Sequence, residues 1–187
     1  MPWRSDGNEL AALKLRYRWL ILLLLAAGLT VFESLLPSFG PWFKPGLANI
    51  VTLIALALLG ARAAFTLALA RVVIGSFFLG TLFTPTMVVS ATAALVAAGT
   101  MVVLWRANIG LSLVGISLAA AIAHMVTQFM VVEWWIVQQP ALFYLLPPLL
   151  LLAALTGWIN GTLAQYVTRR LESCGYGNYS APYRKSL

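Results

Sequence analysis

Five polar residues stand inside long apolar stretches of the sequence, where their side chains could bind a ligand. They are Glu33, Asn49, Arg71, His124 and Gln128. A charged side chain in hydrocarbon is costly, by about 2.5 to 3.5 kcal/mol for a central arginine, so it requires a partner or a hydrated cavity. The permanent positive charge of Arg71 suits an anionic group on a ligand. The chemistry that this set predicts is therefore the binding of a small, anionic molecule.

The positions of these residues favour one shared site. His124 and Gln128 are four residues apart and share a helix face. At about 1.5 Å per residue, Arg71 lies about 13 Å from the cytosolic end of its span, and Glu33 and His124 lie about 21 Å from theirs. The same rise puts Gln128 at about 28 Å and Asn49 only about 5 Å below the outer end. We predict a pocket open to the outside, whose substrate-binding residues are Glu33, Asn49, Arg71, Ser76, His124 and Gln128.

A second small group is predicted to shape or gate the mouth of that pocket. Gly75 and Gly80 flank a short segment that is followed by Pro85. Irregular backbone is tolerated at membrane depth where it lines a cavity. A flexible turn at the outer face is therefore expected here.

Each residue also has a structural interpretation. Arg71 and Glu33 could form an ion pair that locks the first helix against the third. His124 could be a core residue whose hydrogen bonds are satisfied within the bundle, and Asn49 a hydrogen bond between helices, worth under about 1 to 2 kcal/mol. Glu133 is predicted to be an exposed residue at the membrane interface.

The composition requires a membrane protein to hold these residues. Of 187 residues, 61% are hydrophobic and 9% are charged, and the mean hydropathy is +0.92. Soluble domains average about 45 to 50% apolar and about 25% charged residues. No run alternates apolar and polar residues as a membrane barrel requires, so the fold class is all-helical.

Six apolar stretches approach the length of about 20 residues that crosses a bilayer. They are residues 19–36, 46–60, 63–83, 86–105, 109–132 and 141–166. The second is short by about five residues, so it is predicted either to continue through Arg62 as a kinked helix or to stop below the far interface. We predict a single bundle of six transmembrane helices over residues 19–170, between a basic cytosolic segment, 1–18, and a flexible cytosolic tail, 171–187.

The basic residues predict how this bundle is oriented. Only Lys44 lies on one side of a six-span arrangement, and Arg71 lies within a span. The positive-inside rule then puts both termini in the cytoplasm, as expected for the inner membrane of a bacterium. This distribution accounts for the net charge of +7 without a nucleic-acid partner. The other side carries Arg4, Lys14, Arg16, Arg18, Arg62, Arg106, Arg169, Arg170, Arg184 and Lys185.

Catalytic signatures are absent from the sequence. It has no P-loop, H-E-x-x-H or G-x-S-x-G motif, and its one aspartate, Asp6, excludes aspartate-rich magnesium motifs. Neither catalytic residues nor a metal site is predicted, and the cofactor is unknown. An intramembrane enzyme that uses His124 and Glu33 as acid and base would lack a nucleophile or metal set.

Three blocks of sequence together resemble a known family. Residues 44–53 read KPGLANIVTL, residues 71–81 read RVVIGSFFLGT and precede Phe83-Thr84-Pro85 and Ser90, and Ala123-His124 precedes Gln128. Over roughly residues 20 to 170 the chain resembles the Gx transporter family, which is also labelled heptaprenyl diphosphate synthase component I. That family is similar to the S components of energy-coupling factor vitamin transporters, which are six-helix bundles that bind a small molecule from the outside.

The resemblance implies a ligand and several partners. Family members often occur beside flavin-linked and quinone-linked proteins, which implies a vitamin, flavin or quinone precursor as the ligand. The other implied partners are membrane lipid and a partner membrane subunit or ATP-driven coupling module. S components dock on that module through an A-x-x-x-A motif in the first helix, where this chain has only adjacent Ala26 and Ala27. The family's second label leaves an alternative function open: a non-catalytic membrane anchor or assembly subunit of a quinone-biosynthetic or flavin-linked electron-transfer complex.

Overall fold

A computed structural model describes residues 3–35 and 46–174, and every element in these two ranges is helical. The prediction of an all-helical fold is therefore confirmed for the part of the chain that is described. The six α-helices are α1 Trp3–Leu35, α2 Leu47–Leu59, α3 Ala61–Phe78, α4 Pro85–Ala107, α5 Leu113–Val132 and α6 Leu146–Ser173. A π-helical turn, Glu133–Val137, and a 3-10 helix, Pro140–Leu145, connect α5 to α6.

Five stretches of helix are long and apolar enough to cross a membrane. They are Ala12–Ser34, Ala61–Phe78, Pro85–Ala107, Leu113–Val137 and Pro140–Ser173. The predicted N-terminal segment is helical from Trp3 and continuous with the first span. Residues 175–187 of the predicted tail lie outside the described residues, as does the connection 36–45 with Lys44.

The remaining helix, α2, is the centre of the bundle. It has 13 residues and is buried along nearly its whole length, because α1, α3, α4 and α6 all pack against it. A helix surrounded by protein does not have to match the thickness of the hydrocarbon. Of the two predicted alternatives for this stretch, the kinked continuation through Arg62 is wrong, since α2 ends at Leu59 and Arg62 belongs to α3.

A single glycine reverses the chain between α2 and α3. Gly60 has φ 89° and ψ 177°, a backbone conformation that is essentially restricted to glycine. Asn49 and Arg71 are each eleven residues from Gly60, and their side chains meet across the two helices. The pair α2 and α3 is therefore a tight antiparallel hairpin, and its turn is held against α1 by a hydrogen bond from Trp19 Nε1 to the Ala63 carbonyl, at 3.3 Å.

Small residues bring α5 and α6 into close contact, as their four-residue spacing predicts. A Cβ atom added at Gly161 would lie 2.7 Å from Val114 Cα, and one at Gly157 would lie 3.1 Å from Leu118 Cα. As the residue number rises on α6 it falls on α5, so the two helices run antiparallel. Because these two glycines have no side chain, the backbones of α5 and α6 approach each other closely.

The alternation of helix direction gathers the described basic residues other than Arg71 at one end of the bundle. Helices α3 to α6 pack in chain order with short connections, the arrangement of antiparallel neighbours. Arg62 therefore lies at the same end as Arg106 in the last turn of α4 and Arg170 in the last turn of α6. Arg16 of α1 shares a groove with Arg62. We call this the basic end of the bundle.

We predict that Gly60→Ala destabilises the hairpin. A Cβ at this φ and ψ costs about 1 to 3 kcal/mol of backbone strain, although no atom lies within 4 Å of it. Thermal unfolding in detergent should show a lower midpoint. The control is Gly28→Ala on α1, where a Cβ also meets nothing within 4 Å and the backbone is helical. Equal midpoints for the two variants would contradict a strained turn at Gly60.

We predict that Gly161→Ala separates α5 from α6. The added methyl group would meet backbone at 2.7 Å, and overpacking of this kind costs about 1 to 3 kcal/mol. The matched control is Gly99→Ala in α4, which has open space around it and should gain helix propensity, at most about 1 kcal/mol. Opposite shifts of the unfolding midpoint are expected, and a midpoint for Gly161→Ala at or above that of the unmodified protein would contradict the close approach.

Candidate functional site

Three of the predicted site residues come together in the interior. The Arg71 side chain, on α3, donates from Nη2 to Asn49 Oδ1 on α2. Arg71 and Glu33 are each only 6% exposed, and the Glu33 carboxylate interacts electrostatically with the guanidinium. The structure thus supplies a counter-charge and an acceptor for the buried arginine of α3. We call Glu33, Asn49, Arg71 and the neighbouring Asn160 the polar cluster.

Glu33 also caps the amino-terminal end of α2. The Ala48 N–H donates to Glu33 Oε1 at 3.3 Å. The first turn of a helix has unsatisfied N–H groups and the positive end of the helix dipole, which an anionic side chain stabilises. The cap residue of α2 is Gly46, which has no side chain of its own to serve this purpose, so a carboxylate from α1 does so.

Asn160 completes the cluster, and it is a residue that the sequence predictions omit. Its Nδ2 donates to the Gly46 carbonyl at 3.1 Å, which joins α6 to the start of α2. The sequence feature that could have identified Asn160 is a single amide side chain within the apolar run of α6. It lies between Gly157 and Gly161, the two glycines at which α6 approaches α5 closely.

The polar cluster lies deep inside the bundle. Asn49 and Arg71 lie about 16 Å from the hairpin turn at Gly60 along their helices, at about 1.5 Å per residue. The bond from Asn160 to Gly46 puts the start of α2 about 21 Å along α6 from Leu146, by the same rise. The position of Asn49 relative to the membrane, about 5 Å below the outer end by the same rise, stays a prediction.

The Arg71 guanidinium retains hydrogen-bonding capacity. No described residue accepts a hydrogen bond from its buried Nε. A guanidinium has five N–H donors in a fixed fork and binds anionic groups in a bidentate manner. An unsatisfied buried donor costs about 1 to 3 kcal/mol, so an acceptor at this position would be stabilising.

Two of the remaining three predicted substrate-binding residues, His124 and Gln128, lie on another helix. His124 and Gln128 are on α5, which packs against α4 and α6, whereas Arg71 is on α3, which packs against α1, α2 and α4. Gln128 lines a mainly apolar cavity with Phe129 and Leu142, whose volume of about 10 Å³ is close to that of a single water. Neither residue is a described hydrogen-bond partner of the Arg71 guanidinium.

The residues assigned to the pocket mouth, and the predicted binding residue Ser76 beside them, have distinct structural positions. Gly75 lies within α3, and a Cβ there would be 2.8 Å from Thr30 Cγ2 of α1. Ser76, buried one residue later, accepts from the Thr81 N–H at 2.9 Å through its carbonyl. The turn begins only after Phe78, where α3 ends; it includes Gly80, with φ 65°, and Pro85 is the first residue of α4.

The prediction that Glu133 is exposed is wrong. Its side chain is 6% exposed, at the point where α5 changes into a π-helical turn. One extra residue per turn rotates the following side chains. The neighbours Trp134 and Trp135 consequently point outward and are largely exposed.

Comparison with known proteins identifies the family of the chain. The model of the family described as heptaprenyl diphosphate synthase component I matches residues 22–167, which is most of the chain and includes the whole polar cluster. No curated protein and no solved structure matches the chain.

We predict that Glu33 and Arg71 are energetically coupled. Removing one partner of a buried pair costs about 3 to 5 kcal/mol, so Glu33→Leu and Arg71→Leu should each lower the unfolding midpoint strongly. The double variant has no uncompensated charge and should be more stable than the sum of the two losses, by a coupling of about 1 to 3 kcal/mol. Additive losses in this double-mutant cycle would contradict the interaction.

Proposed function

This chain belongs to the heptaprenyl diphosphate synthase component I family, and we propose that it is a multi-pass membrane protein that captures a small anionic molecule rather than a synthase by itself. The family description names one component of an enzyme and does not assign the chemistry to it. The sequence has no catalytic motif, and no group of three or more His, Cys, Asp or Glu residues lies together within the described residues.

One observation carries this proposal: the buried guanidinium of Arg71 has a free donor at the interior end of a half-length helix. Broken helices in transporters present their amino-terminal ends to anionic groups of substrates near the middle of the membrane. Here α2 presents its first turn beside Arg71, so a dipole and a full charge act on the same point. An anionic group is the ligand chemistry that both favour.

Glu33 has a defined role in this proposal. Its carboxylate already neutralises part of the positive potential when no ligand is bound, which keeps Arg71 stable in the interior. A ligand anion would add an acceptor for Arg71 Nε and share the guanidinium with Glu33. The wider ligand class that we propose is a vitamin, flavin or quinone precursor with one anionic group.

The direction of access and the partners also belong to the proposal. We propose that both termini are cytoplasmic, that the membrane is the bacterial inner membrane, and that the ligand enters from the end opposite the basic end. The basic end supports this orientation through the positive-inside rule. Transport by this chain would require a partner, either another membrane subunit or an ATP-driven coupling module.

A second candidate is a membrane anchor or assembly subunit of a heptaprenyl diphosphate synthase-associated or flavin-linked complex. The description of the family favours it, since one component of a synthase implies other components. In that case the polar cluster serves only to hold α1, α2, α3 and α6 together. The two candidate functions differ in one property: Arg71 binds a small molecule in the capture protein and does not in the anchor.

We predict that Arg71→Gln removes the bound anion. Protein purified in mild detergent would be titrated with flavin mononucleotide and, separately, with farnesyl diphosphate, and binding measured calorimetrically. Loss of a charge-assisted hydrogen bond should weaken binding of the recognised compound by about tenfold to a hundredfold. Arg71→Lys, which keeps the charge and loses the fork, should have an intermediate affinity.

The control is Arg106→Gln, which removes an exposed arginine in the last turn of α4. It should bind as the unmodified protein does. If folded Arg71→Gln protein retains full affinity for a compound that the unmodified protein binds, Arg71 is not the anion site. If neither probe binds and mass spectrometry of the purified protein recovers only lipid, the capture function is wrong and the anchor is favoured.

A further inference from the structure

A groove at the basic end of the bundle is separate from the polar cluster. It has a volume of about 450 Å³ and lies between α1 and the hairpin of α2 and α3. Its wall includes Leu15, Arg16, Trp19, Leu20, Leu59 and Arg62. Ligand sites of small molecules have volumes of about 300 to 1,000 Å³, so the groove has the size of a binding site.

The charged residues that line the groove are both arginines. Both Arg16 and Arg62 are exposed, and no described residue forms an ion pair with either guanidinium. The described residues that line the groove include no aspartate or glutamate. Two guanidinium groups at one opening are complementary to a phosphate, which they bind through several N–H donors.

The remainder of the wall is apolar and extends toward the middle of the bundle. Leu20 lines the groove, and Leu24 lies one turn further along the same face of α1. Both side chains are largely exposed, although this part of α1 belongs to a candidate membrane span. Exposed leucines on a span are suited to contact with hydrocarbon chains.

Trp19 gives the groove a fixed wall. Its indole N–H donates to the Ala63 carbonyl, which holds the ring across the junction of α1 and α3. The Thr66 hydroxyl is also satisfied internally, by the carbonyls of Arg62 and Ala63 at 3.1 Å. The two arginines therefore provide the free donors of the groove, next to a preformed apolar surface.

We propose that this groove binds one anionic phospholipid, with its phosphate between Arg16 and Arg62 and an acyl chain along Leu20 and Leu24. Basic pockets between helices at a membrane surface recognise lipid head groups in this way. A free phosphate would contact only the two arginines, whereas a phospholipid also contacts the apolar wall. The site is independent of the anion site at Arg71.

The test is native mass spectrometry of the full chain, released from detergent with added palmitoyl-oleoyl phosphatidylglycerol or the corresponding phosphatidylcholine. One phosphatidylglycerol should bind per chain in preference to phosphatidylcholine. Arg16→Gln and Arg62→Gln should each weaken this binding about fivefold, and the double variant about thirtyfold, from the usual attraction of one basic residue to an anionic lipid surface. Arg106→Gln, at the same end of the bundle, should leave it unchanged.

Three results would overturn the proposal. The first is equal binding of the two lipids, and the second is an equal loss in Arg106→Gln, which would mean a general effect of surface charge. The third is displacement of phosphatidylglycerol by inorganic phosphate or by farnesyl diphosphate at a lower concentration than that of the lipid, which would assign the groove to another anion. Since both arginines are exposed, the unfolding midpoint of the double variant should remain unchanged and confirm that it is folded.

Discussion

An arginine in the interior of an apolar bundle must be compensated by nearby acceptors or negative charge, and much of this fold is arranged around Arg71. Glu33 provides the charge from α1 and Asn49 provides an acceptor from α2. Asn160 of α6 is joined to the same point through the Gly46 carbonyl. Four helices therefore meet at one polar cluster, in a part of the molecule where apolar side chains alone give little directional preference.

The short central helix is the second consequence of this arrangement. Helix α2 begins in the interior of the bundle, where the N–H groups of its first turn would be unsatisfied. Glu33 satisfies one of them, so the residue that compensates Arg71 also makes a buried helix end possible. At the other end, Gly60 reverses the chain within one residue and sets Asn49 opposite Arg71. A longer or looser turn would shift this register and separate the pair.

The sequence predicted the type of secondary structure better than it predicted how the helices pack together. Hydropathy located the helices, because an apolar run has to be long enough to cross hydrocarbon whatever it packs against. Hydropathy could not reveal that residues 46–60 form a central helix, because an apolar run has the same composition whether lipid or protein surrounds the helix. The predicted depth of Asn49 depended on the assumption that this stretch crosses the membrane. Glu133 shows the same limit, because a π-helical turn changes which side chains face inward and leaves no clear mark in the sequence.

The contacts that stabilise the polar cluster are also the contacts that an anion would use. Glu33 interacts with both Arg71 and the Ala48 N–H, so it links α1 to α2 and α3 through one carboxylate. A second anion at Arg71 would compete with Glu33 for the same positive potential and weaken its hold on the first turn of α2. A ligand can shift the arrangement of helices only through such a difference in interaction between two states. Capture of an anion at this point would therefore change how firmly α1 is attached to the hairpin, which is the coupling between binding and helix movement that a transport subunit needs and an anchor does not.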